Sequence, residues 1–225
     1  MRLNEIKDRW AGETVWVVGS SAAWEWLDPR FFDDKPTVAM NLVGPQFGLS
    51  EDAITVSQYA NNPDRLRARD WQGLVIAPDR KLQGGNWGGK EFDGDENTIR
   101  DAPPPSLDFN PFLKYWPKDG EERLFHGTTT LHMAMACAWW LGAETIITVA
   151  ADHGWWNGKT NGGDYSEVNS PNDQTDQLIN GHWISHTNQL AAHLRTLNVN
   201  VYSMIPTVNL NLEGHTFKCP RGRIG

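Results

Sequence analysis

The strongest indication of the fold is the apolar run TIITVAAD at residues 145–152. It is rich in β-branched residues and ends on an acidic one, a pattern typical of a strand that is buried on both faces. A second run, TVWVV at residues 14–18, has the same character and leads into Gly19, Ser20 and Ser21. Together the two runs predict strands of a parallel sheet covered by helices on both faces.

The rest of the chain alternates between strand and helix patterns. This order predicts an α/β fold of the Rossmann-like kind, a mostly parallel sheet with helices on both faces. A length of 225 residues suits one domain, residues 1–225. Further strands are predicted at residues 37–41, 54–56, 74–77 and 199–204, and helices at residues 4–10, 22–27, 131–142 and 182–197.

Composition limits the classes of protein to which the chain can belong. Hydrophobic residues make up 39% and charged residues 21% of the sequence, which is enough for a folded core. The net charge of −8 disfavours nucleic acid as a partner, because its phosphates are also negative. Neither a membrane-spanning apolar run nor a secretory signal is evident, and two cysteines give no disulfide framework. We therefore expect a cytoplasmic protein without a membrane span, with homo-oligomerisation left open.

Two long segments lack any periodic pattern. Residues 81–111 are rich in glycine and include three consecutive prolines, and residues 153–181 are rich in Asn, Gly and Asp. Segments of this length inside a compact domain are usually working loops. We expect both to be mobile loops or insertions that cover the C-terminal ends of the strands.

Small and polar residues follow the predicted strands directly. Such residues are found at 19–21, at Asn41, at 152–153 and at Pro206. In parallel sheets, ligands bind beyond the C-terminal ends of the strands, so this convergence predicts a site. Residues 19–21 and 127–130 also precede predicted helices, where free backbone N–H groups favour a phosphate. A hydroxyl-capped turn without a ligand is the alternative for both.

Histidines on the last predicted helix are candidates for proton transfer. His182 and His186 are separated by one helical turn, and histidine is the usual general acid or base at neutral pH. The same spacing suits a metal ion, although no Glu follows His182 as it does in an H-E-x-x-H motif. A surface histidine at the start of a helix is the third interpretation.

Several pieces of the sequence, in this order, resemble the bacterial Rossmann-like sialyltransferases of the GT-A-variant type. They also resemble the related domains of flagellin-modifying glycosyltransferases and archaeal hydroxymethylpterin pyrophosphokinases. The most specific piece is residues 128–152, with a hydroxyl-rich opening, a buried helix, Leu-Gly and a strand ending in Asp. The other pieces are VVGSS at 17–21, AMN at 39–41, Asn157-Gly158 with Tyr165 beyond it, and WISHT at 183–187.

The resemblance implies a glycosyltransferase that takes a nucleotide-activated sugar, with a CMP-sialic-acid-like donor favoured, and needs no metal ion or other cofactor. His186 would be the general base that deprotonates the hydroxyl of an acceptor, and His182 is the alternative for this role. Strand ends and one loop tyrosine would bind the donor. The resemblance assigns the nucleotide to Gly19, Ser20, Ser21, Asn41, Thr129, Thr130, Ala150, Ala151, Asp152 and Tyr165.

The sequence departs from the family pattern at two places. Ser21 replaces the second glycine of the first loop, and His126-Gly127 stands where the family has an arginine. Two other functions therefore stay open. One is a metal-dependent phosphoester hydrolase that uses Asp152, His153 and the nearby histidines, because Asp/His clusters suit metal ions. The other is a non-catalytic nucleotide-binding module, and a pyrophosphokinase is the variant within the resembling family.

Overall fold

The computed structural model describes residues 1–21, 23–24, 27–59, 62–78, 96–101, 111–151 and 182–204. The strands are β1 (Thr14–Val18), β2 (Thr37–Met40), β3 (Ile54–Val56), β4 (Val75–Pro78), β5 (Thr98–Asp101), β6 (Thr145–Val149) and β7 (Asn200–Ser203). The α-helices are α1 (Val43–Phe47), α2 (Asn62–Arg67), α3 (Thr130–Trp140) and α4 (Ile184–Thr196). Single turns of 3-10 helix occur at Leu3–Ile6, Pro29–Phe32 and Phe112–Tyr115.

The strands form one sheet in which every neighbouring pair is parallel. Its order is β5-β4-β3-β2-β1-β6-β7. The chain moves outward from β1 to β5 and then returns to the other side of β1 for β6 and β7. This reversal makes the ends of β1 and β6 the topological switch point, where sheets of this kind bind ligands. The predicted Rossmann-like α/β fold is confirmed.

Both faces of the sheet are buried, because successive strand residues belong to different hydrophobic clusters. In β1, Val15 and Val17 pack in the cluster that contains buried residues of α3 and α4. Val18 packs in the second cluster, with Val43 of α1 and Leu66 of α2. The alternation follows from the two-residue period of a strand, and it explains why β1 is apolar at every position except Thr14.

Helix α3 is the central buried helix. All its residues except Trp139 are buried, as expected for a helix that is apolar all round. It ends just before Gly142, which has φ of 87° and therefore allows the chain to turn back towards β6. None of the described helices has the length and apolar character needed to cross a membrane.

The structure differs from the sequence prediction mainly in short elements. β5 lies inside residues 81–111, where no strand was predicted, and α1 and α2 were also missed. The predicted helix at 4–10 is a single 3-10 turn, Leu3–Ile6. Each of these elements has at most six residues, so it gives little periodic signal. Residues 81–95 and 102–110 of this segment, and all of the predicted loop at 153–181, lie outside the described residues.

Candidate functional site

The ends of β1 and β6 lie in very close contact. A Cβ atom on Gly19 would overlap the carbonyl oxygen of Ala150 and lie 2.5 Å from Cε of Met40. It would also lie 3.0 Å from Cβ of Ala151. Glycine is therefore required at this position by the packing of β1 against its two neighbours. The structure brings the predicted residues Gly19, Ala150 and Ala151 together.

The backbone N–H groups after β1 are used within the protein. The N–H of Gly19 donates to the carbonyl of Val149 at 2.8 Å, and that of Ser21 donates to the carbonyl of Ala150 at 2.9 Å. The Ser21 hydroxyl accepts from the N–H of Ala23 at 3.2 Å. At Gly19 and Ser21 the loop therefore forms the hydroxyl-capped turn, and the expectation of free amides for a phosphate is wrong there.

Two residues at this edge of the sheet have left-handed backbone conformations. Asn41 directly follows β2 with φ of 54°, and Ala150 directly follows β6 with φ of 49°. Asparagine tolerates this region, whereas an alanine in it stores strain of about 1–3 kcal/mol. The other non-glycine residues with positive φ among the described residues are Asp8, Asp70 and Asn198, which belong to turns. Strain of this kind is concentrated at functional sites, so Ala150 supports a site at the end of β6.

Asn41 connects the end of β2 to the start of α3. Its side-chain Nδ2 donates to Oγ1 of Thr130 at 3.3 Å. Its Oδ1 accepts from the hydroxyl of Ser57 at 3.0 Å and from Nδ2 of Asn62 at 3.2 Å. Ser57 and Asn62 are almost completely buried. The predicted residues Asn41 and Thr130 are therefore brought together, and a buried hydrogen-bond network holds the Asn41 amide in one orientation.

The start of α3 differs from the expectation of an open anion-binding turn. The N–H groups of Thr128 and Thr129 both donate to Nδ1 of His132, at 3.0 Å and 3.2 Å. These two amides are therefore used within the protein, and the expectation of free N–H groups at this turn is wrong for them. Thr129 Oγ1 is buried in this turn.

His186, the general base that the resemblance implies, lies beside this turn. Its Nδ1 lies 3.2 Å from Oγ1 of Thr128, and its ring stacks on Phe112 with the centroids 4.2 Å apart. Burial, and next the charge of the neighbouring His182, lowers the pKa of His186. A lowered pKa leaves the imidazole neutral at neutral pH, in the state that accepts a proton.

His182 is in a different environment. It is exposed, and its ring is tilted 29° from that of His186 with 5.6 Å between the centroids. Among the described residues no group of three or more His, Cys, Asp and Glu side chains is arranged to hold a metal ion. Asp152 and His153, on which the hydrolase interpretation depends, lie outside the described residues, as does Tyr165.

A buried acid–base pair holds the segment that leads to the site. Nε2 of His126 lies 2.6 Å from Oδ2 of Asp101, and their side chains are 5% and 1% exposed. Asp101 also accepts from the N–H of Leu124 at 3.2 Å. The carbonyl of His126 accepts from Nε2 of Gln58 at 2.7 Å. These contacts attach residues 124–127 to the ends of β3 and β5 and so position Thr128.

Sequence reasoning missed several residues that shape the site. Thr128 was recognised as part of the hydroxyl-rich turn, but it was not assigned to the site. His132 occupies the third position of α3, where Glu or Gln often accepts a hydrogen bond from the start of the helix, and this position is the signal that could have identified it. The other missed residues are Ser57, Gln58, Asn62, Asp101, Phe112, His126 and Thr187.

Gly127 provides a direct test of this packing. It has φ of 58°, and a Cβ there would lie 2.5 Å from Cβ and 2.7 Å from Nδ1 of His132. Gly120 has φ of 83° with no atom within 4 Å of such a Cβ, so Gly120→Ala has the backbone strain without the clash. We expect Gly127→Ala to lower the free energy of unfolding by about 1–3 kcal/mol more than Gly120→Ala, measured by urea denaturation. Equal losses would mean that His132 is not packed against this turn.

The described site residues lie at the C-terminal edge of the sheet. Gly19 lies beside Ala150 and Met40, the residue before Asn41. Asn41 is hydrogen-bonded to Thr130 at the start of α3, and Thr128 in the preceding turn lies beside His186. No family model, curated protein or solved structure matches this chain. The grounds for assigning a function are therefore the geometry of this edge and the resemblance of its motifs.

Proposed function

We propose that the protein is a glycosyltransferase that uses a nucleotide-activated sugar, with a CMP-sialic-acid-like donor favoured and His186 as the general base. The observation that carries the proposal is the environment of His186. Its ring is packed on Phe112, its Nδ1 is within hydrogen-bond distance of Thr128, and its pKa is lowered. A histidine that is oriented and neutral at neutral pH is equipped to take a proton from a hydroxyl.

The donor is proposed to lie over the ends of β1, β2 and β6. This is the switch point of the sheet, the usual ligand position in folds of this kind. The residues at the ends of β1 and β6, Gly19, Ala150 and Ala151, are small. Because the amides of Gly19 and Ser21 are occupied, the donor phosphate would be bound by side chains and by groups outside this turn.

In the proposed step, an acceptor hydroxyl oxygen forms a bond to the anomeric carbon of the sugar. The bond between that carbon and the nucleotide phosphate breaks, and the nucleotide leaves with the electron pair. His186 takes the hydroxyl proton as the new bond forms and later releases it to water. General base catalysis of this type contributes about 10²- to 10⁴-fold to the rate.

His186 is preferred to His182 as the base for a geometric reason. His182 is exposed, and its ring lies against the ring of His186. His186 has a hydrogen-bonding neighbour at Nδ1 and an aromatic ring on one face, which together fix its orientation. A catalytic base needs such fixed geometry, because small displacements reduce the rate strongly.

Calorimetric titration with CMP, UDP and their sugars tests the nucleotide part of the proposal. We expect a cytidine nucleotide to bind with a Kd between about 1 μM and 1 mM, the range usual for enzyme substrates. Ala151→Leu adds bulk at the end of β6 and should weaken binding at least tenfold. The matched control is Ala11→Leu, at an exposed position before β1 at the opposite edge, which should leave Kd unchanged. The proposal is wrong if no nucleotide binds.

A further inference from the structure

Arg65 is an exposed cation that is attached to the polar network around Asn41. It lies on α2, which follows β3 and begins at Asn62, a residue that is 1% exposed. Nη1 of Arg65 donates to Oδ1 of Asn62 at 3.2 Å. Nδ2 of Asn62 in turn donates to Oδ1 of Asn41 at 3.2 Å. A single amide group therefore separates the guanidinium of Arg65 from the side chain that follows β2.

These hydrogen bonds determine which amide atom each asparagine directs at its neighbours. A guanidinium can only donate, so the atom of Asn62 that faces Arg65 is the carbonyl oxygen. The NH₂ group of Asn62 then donates to Asn41 and to the hydroxyl of Ser57, at 3.2 Å and 2.8 Å. The Asn41 atom that accepts must be its oxygen. The NH₂ group of Asn41 is therefore the end that lies 3.3 Å from the hydroxyl of Thr130.

Arg65 and Asn41 thus both present hydrogen-bond donors at the C-terminal edge of the sheet. The NH₂ group of Asn41 has two hydrogens, and the contact with Thr130 uses one of them. Asn41 is partly exposed and Arg65 is exposed, so solvent reaches both side chains. A ligand that contacts both groups must supply acceptor oxygens, and the charge of Arg65 favours oxygens that carry a negative charge.

The charge of Arg65 is not paired with a carboxylate in the part of the chain that the structure describes. The ion pairs found there do not include it, whereas the exposed Arg30 is paired with Asp28 at 2.6 Å. The chain carries a net charge of −8, so an anionic ligand needs a local cation to offset the general repulsion. Arginine suits phosphate especially well, because its planar guanidinium can donate two parallel hydrogen bonds.

We propose that Arg65, beside the NH₂ group of Asn41, binds the phosphate of the nucleotide donor. The inference rests on the proposed function for the identity of the ligand. It deepens that function, because it names the cation that holds the donor at an edge where the amides of Gly19 and Ser21 are used within the protein. The site then selects a phosphorylated nucleoside over the uncharged nucleoside.

Calorimetric titration of Arg65→Gln with CMP tests this contact. Gln removes the charge and keeps an NH₂ group that can donate to Asn62. We expect the Kd for CMP to rise about tenfold, the effect usual for the loss of one charged hydrogen bond. Arg65→Lys keeps the charge without the planar pair of donors, so its Kd should rise less. Cytidine lacks the phosphate, and its Kd, measured by NMR titration, should be the same in the wild-type chain and in Arg65→Gln.

Arg30→Gln is the matched control, because it removes one positive charge from an exposed arginine that is already paired with Asp28. It should leave the Kd for CMP unchanged. Equal CMP affinity in the wild-type chain and Arg65→Gln would overturn the inference, and so would an equal loss of affinity for CMP and cytidine.

Inorganic pyrophosphate separates this inference from the proposed function, because it carries phosphate oxygens without a nucleoside. Pyrophosphate binding that is lost in Arg65→Gln, in a chain that binds no nucleotide, would contradict the proposed function and leave Arg65 as an anion site. Absence of binding by both pyrophosphate and the nucleotides would overturn both proposals.

Discussion

His186→Asn is expected to lower kcat for sugar transfer by about 10²- to 10⁴-fold, the contribution usual for a general base, with little change in KM for the donor. Asn keeps an NH₂ group close to the position of Nδ1 and can still donate to Thr128, so the fold should be retained while the proton acceptor is lost. Release of CMP from the donor in the presence of acceptor measures kcat.

The matched control for this substitution is His193→Gln. His193 lies on the same helix and also has a pKa lowered by burial, but its ring packs against Trp116. We expect its kcat to stay within about twofold of wild type, well below the loss for a catalytic base. A His186→Asn variant as active as His193→Gln would show that His186 is not the base.

The pH dependence of kcat has a definite sign. The base works in its neutral form, and burial followed by the His182 charge lowers the pKa of His186. Activity should therefore persist to a lower pH than an ordinary histidine would allow, and fall as the pH drops through the lowered value. His182→Gln removes one cause of the shift, so the acid limb should move to higher pH. An unchanged acid limb would mean that another group controls it.

Asp101→Ala is expected to give the largest loss of stability, about 3–5 kcal/mol in the free energy of unfolding. The substitution leaves His126 and the N–H of Leu124 buried without their acceptor. Groups buried in this way lose their hydrogen bonds to water on folding and gain nothing in return. Urea denaturation with an unchanged m-value measures the loss.

The control for Asp101 is Asp28→Ala, which removes the partner of Arg30 in an exposed ion pair. The pKa of Asp28 is lowered by its hydrogen bonds to Arg30, one of them from the backbone N–H that begins the Pro29–Phe32 turn. Solvent screens the pair, so we expect a loss of stability well below that of Asp101→Ala. If Asp101→Ala lost no more stability than Asp28→Ala, the attachment of residues 124–127 to β5 would not hold Thr128 in place.

The sequence predicted secondary structure well where most residues of a strand or helix are apolar. β1, β6 and α3 are mostly apolar and largely buried, so their composition predicts them without knowledge of their neighbours. α2 was not predictable in this way. Its sequence NPDRLR has no apolar period, and Arg67 contributes contacts that exist only after folding, to the carbonyl oxygens of Trp71 and Gly73.

The site was predicted in part, for a similar reason. The C-terminal ends of parallel strands lie at the same edge of a sheet. This rule predicts that Asn41 lies close to Thr130 and that Gly19 lies close to Ala150, as the structure shows. The use of the Thr128 and Thr129 amides by His132 could not be predicted from the strand order. The His132 side chain turns back towards the start of its own helix and accepts from both amides. Its other ring nitrogen contacts the hydroxyl of Thr187, which lies 55 residues further along the chain.

The most direct test of the proposed site follows histidine side-chain signals by NMR during titration with a CMP-sugar. His186 is the base in the proposed site, whereas His193 lies about two helical turns further along α4. We predict saturable shifts of the His186 signals at the Kd found by calorimetry, with the His193 signals unchanged. Saturable binding that leaves the His186 signals unmoved would contradict the account.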